Sequence, residues 1–113
     1  MSRLVFALAL SVSLAACAAP TITGEAAHQL VQKQGAVLLD VRTPQEFAEG
    51  HVDGALNIPV QELESKLASL PAKKDQDVVV YCRSGIRSAK ASGILKGAGF
   101  TRVHDLGAMS NWR

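Results

Sequence analysis

The stretch that constrains the fold most is residues 78–88, in which a run of β-branched residues stops at a cysteine. A continuous valine run is typical of a short strand covered on both faces, because branched side chains fit a buried, pleated surface. Helix-forming residues follow from about Ile86 to about Lys96. The stretch therefore predicts a strand, a tight loop and a helix, with the thiol of Cys82 at the first loop position.

The position of Cys82 favours its thiolate form. Backbone N–H groups at a helix N-terminus are unpaired and carry partial positive charge, and a loop that curls around the sulfur can point several of them at it. Arg83 and Arg87 add positive charge, and Gly85 suits a backbone conformation that a Cβ would hinder. The thiolate is the nucleophilic form of cysteine. The alternative interpretation is that Cys82 is a small apolar residue that fills a strand end.

The N-terminal residues have the composition of an export signal. Residues 4–14 form an apolar run that is too short to span a bilayer as a helix, and Arg3 is the only charged side chain before residue 20. Leu14-Ala15-Ala16 then precedes Cys17, which resembles the lipobox of bacterial lipoproteins. The resemblance implies cleavage before Cys17 and lipid on that residue, and two or more acyl chains anchor a protein stably. The alternative is an ordinary signal peptide, with Cys17 incidental.

This interpretation divides the chain into a signal peptide over residues 1–16, a lipidated tether over 17–20 and one domain over 21–113. We therefore expect an exported protein on the periplasmic side, anchored to the membrane through Cys17. With Cys17 lipidated, Cys82 has no partner and is a candidate reactive thiol. The alternative is a disulfide between the two cysteines in an oxidising compartment.

Composition excludes several other functions. The formal net charge is +2, and no basic stripe interleaves with aromatic residues, so we expect no nucleic-acid partner. The three histidines and the free cysteine show no metal-ligand spacing, so we expect neither a metal nor another cofactor.

Strands alternate with helices along the chain, which predicts an α/β fold with a small, mostly parallel central sheet. Thr23 is expected to cap the first helix, and Thr43 to Glu46 form a capping box at the second. The predicted strands cover residues 36–41, 55–59, 78–81 and 101–103, and the two later helices cover 61–70 and 86–96.

Loops that follow parallel strands meet at one edge of the sheet, so Asp40 and Arg42 should lie near the loop after Cys82. Asp40 either pairs with Arg87 or caps loop N–H groups, or it is a polar strand end that faces water. Arg42 either forms a structural ion pair or attracts substrate.

These motifs together resemble a single-domain rhodanese, in the family's order and spacing over residues 21–113. The resemblance is carried by Leu39-Asp40-Val41-Arg42, Glu46-Phe47, the segment 50–59, the segment 81–88, Gly99-Phe100 and the closing Gly107 to Trp112. It implies a three-layer α/β fold, with helices on both sides of the sheet.

The resemblance also implies sulfur transfer without a cofactor. Cys82 would take a sulfane sulfur from a donor such as thiosulfate, become a persulfide and pass the sulfur to a thiophile such as cyanide or a thiol. The N–H groups of the loop would cradle the persulfide, Arg83 would stand at the mouth, and Arg87 would brace the loop through a carboxylate. The loop comprises Arg83, Ser84, Gly85, Ile86 and Arg87.

Residues outside the loop receive structural roles in this interpretation. His51 and Glu46 need no catalytic part, and Phe47 and Trp112 are expected in the core. Two positions depart from the family pattern: Glu46 stands where some two-domain rhodaneses have an arginine, and Ala108 replaces the second glycine of a frequent pair.

Four other functions compete with sulfur transfer to a small acceptor. A thiol redox sensor or a module that delivers sulfur to a protein partner would use the same chemistry. Related phosphatases have five residues between the cysteine and the arginine, whereas four separate Cys82 from Arg87, so the loop is tight for a phosphate. A non-catalytic binding module would usually lack the cysteine.

Overall fold

The computed structural model of the protein describes residues 21–113. The predicted signal peptide and tether, including Cys17, lie outside the described residues. The helices are α1 (Gly24–Lys33), α2 (Pro44–Glu49), α3 (Leu63–Lys66) and α4 (Ile86–Gly97). The strands are β1 (Val37–Asp40), β2 (Leu56–Asn57), β3 (Val78–Cys82) and β4 (Val103–Ala108). Short 3-10 turns cover Val60–Glu62, Leu67–Ser69 and Met109–Asn111.

The four strands form one parallel sheet in the order β2-β1-β3-β4, which confirms the predicted α/β class. β3 lies between β1 and β4, and every residue of β3 is buried. This position explains why its sequence is continuously apolar instead of alternating. Because all strands run in the same direction, the loops after β1 and β3 lie at the same edge of the sheet.

Helices cover both faces of the sheet. Side chains along a strand point alternately to opposite faces, so Val80 and Cys82 join a core cluster with Leu95 of α4, whereas Tyr81 joins a cluster with Ala27 of α1. The sheet and its two flanking layers of helix form the predicted three-layer arrangement.

Local signals place the starts of the first two helices. The Thr23 side chain accepts a hydrogen bond from the Ala26 N–H at 3.1 Å and caps α1. The capping box of α2 is present in both directions: Thr43 Oγ1 accepts from Glu46 N at 3.1 Å, and Glu46 Oε1 accepts from Thr43 N at 3.2 Å. Both caps were predicted from the sequence.

Two predicted elements differ from the structure. The last strand runs over Val103–Ala108 and not over 101–103. Val80 pairs with Asp105 and Tyr81 with Gly107, so Leu106 is an extra residue in β4 and the pairing continues to Ala108. At this bulge the N–H of Gly107 donates to Asp105 Oδ1 at 2.8 Å. The predicted helix over 61–70 is divided into two 3-10 turns with the four-residue α3 between them.

The two aromatic residues expected in the core are only half-buried. Phe47 stacks on His51 with ring centroids 3.6 Å apart, and His51 Nδ1 lies 2.8 Å from the Phe47 carbonyl oxygen. Trp112 stacks on His28 with ring centroids 3.7 Å apart.

Over residues 21–113, no helix has both the length and the apolar character that crossing a membrane requires.

Candidate active site

The candidate nucleophile, Cys82, is the last residue of β3. The chain turns back over it, and the N–H of Gly85 donates a hydrogen bond to Cys82 Sγ at 3.0 Å. Gly85 precedes the first residue of α4 and has a φ of +100°, in the left-handed region that favours glycine. The strand, loop and helix predicted from the sequence thus bring the loop backbone against the sulfur.

A second glycine lies directly beside this turn. A Cβ added at Gly85 would meet the Cα of Gly107 in β4 at 3.7 Å, and Gly107 itself has a φ of +79°. The active-site loop therefore packs closely against β4 at Gly107, and this contact helps to position the loop.

Cys82 has no solvent-exposed surface. Arg83, Ser84 and Ile86 are exposed around it, and Ile86 is 78% exposed. Arg83, Ser84 and Ile86 therefore form exposed surface next to the buried sulfur. The sequence predicted that several loop amides surround the sulfur; the structure places the amide of Gly85 at hydrogen-bonding distance, and the fuller cradle stays a prediction.

Arg87 is braced by a carboxylate, as predicted, but the carboxylate belongs to Glu46 and not to Asp40. Arg87 Nη1 and Nη2 donate to the two oxygens of Glu46 at 2.6 and 2.9 Å, a two-pronged ion pair between α4 and α2. The hydrogen bond from Arg87 lowers the pKa of Glu46 to about 2. The same hydrogen bond raises the pKa of Arg87, and the charge of Cys82 adds a smaller increase.

Asp40 pairs with Arg42 and not with Arg87. It is fully buried and receives Arg42 Nη2 at 2.7 Å, Arg42 Nε at 3.0 Å and the Arg42 backbone N–H at 2.9 Å. The prediction that Asp40 pairs with Arg87 is therefore wrong, and so is the alternative that it faces water. Asp40 does cap a loop N–H group, that of Arg42 directly after β1. Asp40 and Arg42 are two residues apart at the end of β1, so this ion pair is local to the strand end.

Arg42 has the structural role that the sequence left as one of two options. It is 5% exposed, and the hydrogen bonds to Asp40 raise its pKa. Its Nη2 also donates to the carbonyl oxygen of Gly50 at 2.7 Å. The ion pair therefore holds the turn after α2 against the sheet.

Sequence reasoning missed the role of Tyr81. Its hydroxyl oxygen accepts the N–H of Val52 at 3.1 Å, and burial raises the pKa of Tyr81 to about 12. Tyr81 and Arg42 thus hold the same turn, residues 50–54, beside the candidate site. The signal was a tyrosine that ends an otherwise aliphatic buried run, since a buried hydroxyl needs a partner.

A cavity of about 230 Å³ opens beside the loop and is lined by Arg42, Glu46, Glu49, Gly50, Arg83 and Met109. We call it the mouth cavity. Arg42 is already paired with Asp40, and Glu46 with Arg87, so Arg83 and Glu49 supply the unpaired charges of the cavity among the described residues.

Over residues 21–113, no group of three or more histidine, cysteine, aspartate or glutamate side chains is placed to hold a metal ion.

The Glu46–Arg87 pair should give the stability of the protein a specific acid dependence. Folding lowers the pKa of Glu46 from 4.5 to about 2. A carboxyl whose pKa is lowered by folding contributes stability that is fully present above about pH 4.5 and is lost as the pH falls through about 2. We expect the unfolding free energy to fall more steeply over this range in the unmodified protein than in Glu46→Gln.

Urea unfolding of both proteins at several pH values measures this difference. Asp77, whose pKa is also lowered through hydrogen bonds from Arg102 and His104, titrates in both proteins and cancels in the comparison. Parallel stability curves for the two proteins would contradict the assignment of Glu46 as the partner of Arg87.

The fold and this cysteine loop define the class of protein. The family model for the rhodanese-like domain matches residues 23–113. The chain therefore belongs to the rhodanese-like domain family, as the resemblance in its motifs predicted.

Three similar proteins are matched over most of their own length. A sulfurtransferase of Allochromatium vinosum is 38% identical over 86 residues, which cover 75% of this chain and 78% of that protein. Human thiosulfate:glutathione sulfurtransferase is 35% identical over 107 residues, covering 83% of this chain and 93% of the relative. The solved structure of the human single-domain sulfurtransferase TSTD1 superposes with a TM-score of 0.75 at 34% identity, covering 83% of this chain and 95% of that one.

Proposed function

We propose that the protein is a sulfurtransferase that moves a sulfane sulfur from a donor of the thiosulfate type to a thiophilic acceptor, through a persulfide on Cys82. The observation that carries the proposal is the placement of Cys82 Sγ under a loop whose Gly85 N–H donates to it at 3.0 Å. The names of the curated relatives, which are sulfurtransferases, support the same class of reaction.

The first half-reaction loads the sulfur. The Cys82 thiolate attacks the outer sulfur of thiosulfate, a sulfur–sulfur bond forms to Cys82, and the bond inside thiosulfate breaks to release sulfite. The thiolate and thiosulfate together carry three negative charges, and so do the persulfide and sulfite that they form. Atoms and charge therefore balance, and the step needs no oxidant. The Gly85 amide and the guanidinium groups of Arg83 and Arg87 favour the anionic sulfur and the departing sulfite.

The second half-reaction returns the enzyme to its starting state. A thiophile attacks the outer sulfur of the persulfide, the sulfur–sulfur bond to Cys82 breaks, and Cys82 leaves as a thiolate. Cyanide would give thiocyanate, and a thiol would give a new persulfide. The human relative, which is named for glutathione, supports a thiol as acceptor.

Intact-mass measurement tests the loading step directly. After incubation with thiosulfate and removal of excess donor, we expect a mass gain of one sulfur atom, mapped to Cys82 by peptide analysis. Addition of cyanide should remove the extra sulfur and release an equal amount of thiocyanate. An unchanged mass with thiosulfate and with every other sulfane donor tried would reject the sulfurtransferase assignment.

The same proposal places the domain on the periplasmic side, held to a membrane by lipid on Cys17. Leu14-Ala15-Ala16 before Cys17 supports this location. In a bacterial host, we expect the unmodified chain in the membrane fraction and the Cys17→Ser variant largely outside it, because the variant cannot accept the lipid. Equal distribution of both proteins, with no lipid mass on Cys17, would reject the anchor.

A further inference from the structure

A second, larger cleft adjoins the mouth cavity. It has a volume of about 690 Å³, within the range of about 300–1,000 Å³ that is typical of small-molecule sites. Gly50 and Met109 line both the cleft and the mouth cavity, so the two lie side by side. We call the larger space the Trp112 cleft; its lining residues are Val31, Gln32, Gly50, His51, Val52, Asp53, Met109 and Trp112.

The walls of the Trp112 cleft are held in place before any ligand arrives. Trp112 stacks on His28, and the His28 Nδ1 lies 3.2 Å from the Gln32 side-chain nitrogen. Elsewhere in the lining, His51 stacks on Phe47, and the N–H of Val52 donates to the buried Tyr81 hydroxyl. A preformed wall lowers the ordering cost of binding.

The charges of the mouth cavity and the apolar wall of the cleft together specify a ligand. Arg83 and Glu49 are of opposite sign and have no ion-pair partner among residues 21–113. A zwitterion, with one ammonium and one carboxylate group, matches that pair. Val31, Val52, Met109 and Trp112 offer apolar surface to a side chain attached to it.

We infer that the Trp112 cleft is the binding site of the sulfur acceptor, and that the acceptor is a short peptide thiol with an apolar side chain next to its cysteine. The inference rests on the proposed sulfur transfer. The peptide termini lie between Arg83 and Glu49, its thiol reaches the persulfide, and its apolar side chain occupies the cleft. In the transfer, the peptide thiolate attacks the outer persulfide sulfur, which forms a peptide persulfide and leaves Cys82 as a thiolate.

Two dipeptides test the inference in the second half-reaction. Cysteinyl-leucine and cysteinyl-glycine carry the same thiol and the same charged termini, and they differ only in the side chain that would enter the cleft. With Cys82 loaded from thiosulfate, we expect the second-order rate for cysteinyl-leucine to exceed that for cysteinyl-glycine about tenfold, since partial burial of a leucine side chain is worth roughly that factor. Equal rates would overturn the inference.

Variants of the cleft test whether the preference for cysteinyl-leucine arises there. In Trp112→Ala, we expect the tenfold preference to fall to about twofold, and in Met109→Gln, which keeps the length of the side chain, to about threefold. Ile94→Ala removes apolar surface from a separate cleft lined also by Leu67 and Lys90 and should keep the full preference. A preference that survives both cleft variants, or that Ile94→Ala removes equally, would overturn the inference.

A binding measurement keeps this test separate from the proposed function. Trp112 is the only tryptophan of the chain, so its fluorescence reports on the cleft alone. With Cys82→Ser protein, S-methyl-cysteinyl-leucine cannot react, and we expect a saturable emission change with an affinity about tenfold higher than that of S-methyl-cysteinyl-glycine. If thiosulfate fails to load Cys82 but this difference appears, only the sulfurtransferase assignment fails. No saturable change with either peptide would overturn the cleft assignment.

Discussion

Cys82→Ser is expected to reduce sulfur transfer from thiosulfate to the uncatalysed background. A serine hydroxyl does not ionise near neutral pH and forms no persulfide, so the first half-reaction has no nucleophile. Intact mass after incubation with thiosulfate should show no added sulfur, and thiocyanate release in the presence of cyanide should match a protein-free sample.

Controls for this variant address folding and the second cysteine. Thermal unfolding of Cys82→Ser should remain a single transition, because serine is close in size to cysteine at this buried strand end. The variant is best made in a Cys17→Ser background, so that sulfur bound at Cys17 is not counted. Sulfur uptake and turnover that persist in the double variant would show that Cys82 is not the sulfur carrier.

Asp40→Ala is expected to reduce the unfolding free energy by about 3–5 kcal/mol, the usual cost of removing one partner of a buried ion pair. The loss leaves the guanidinium of Arg42, which is 5% exposed, without its carboxylate. It also weakens the hold on the turn at Gly50, so sulfur transfer should fall as well. Urea or thermal unfolding measures the stability, and loading from thiosulfate measures the second effect.

An exposed ion pair on the same protein supplies the matched control. Lys66 Nζ and Glu62 Oε1 lie 3.4 Å apart, and both side chains are about half exposed. Glu62→Ala should therefore cost less than about 1 kcal/mol. If Asp40→Ala were as mild as Glu62→Ala, Asp40 and Arg42 would not support the site as their geometry indicates.

The parts of the fold that the sequence predicts well are those decided by neighbouring residues. The valine run before Cys82 indicates a buried strand, and the capping residues Thr23 and Thr43 mark two helix starts. Gly85, placed between the strand and the helix, indicates a turn with a positive φ. Each of these features depends on residues that are close together in the sequence, so it can be predicted without knowledge of the tertiary structure.

The parts that the sequence does not predict depend on distant residues. Glu46 and Arg87 are 41 positions apart. The sequence contains several carboxylates, and it does not show which of them folding brings to the loop. Asp40 ends the adjacent strand and is one of these candidates, but Arg42, two residues away, binds both of its carboxylate oxygens. The extension of β4 likewise follows from its register with β3 and not from its own composition.

The nucleophile and the groups that meet the reactants lie in regions of different stability. Hydrogen exchange in proteins is slowest in central, fully buried strands and fastest in exposed segments, because local opening begins at the periphery. Cys82 ends the inner strand β3, whereas Arg83 and Glu49 lie in exposed segments. Substitutions at the periphery can therefore retune which molecules give or receive sulfur, while the reacting atom stays on the part of the domain that opens last.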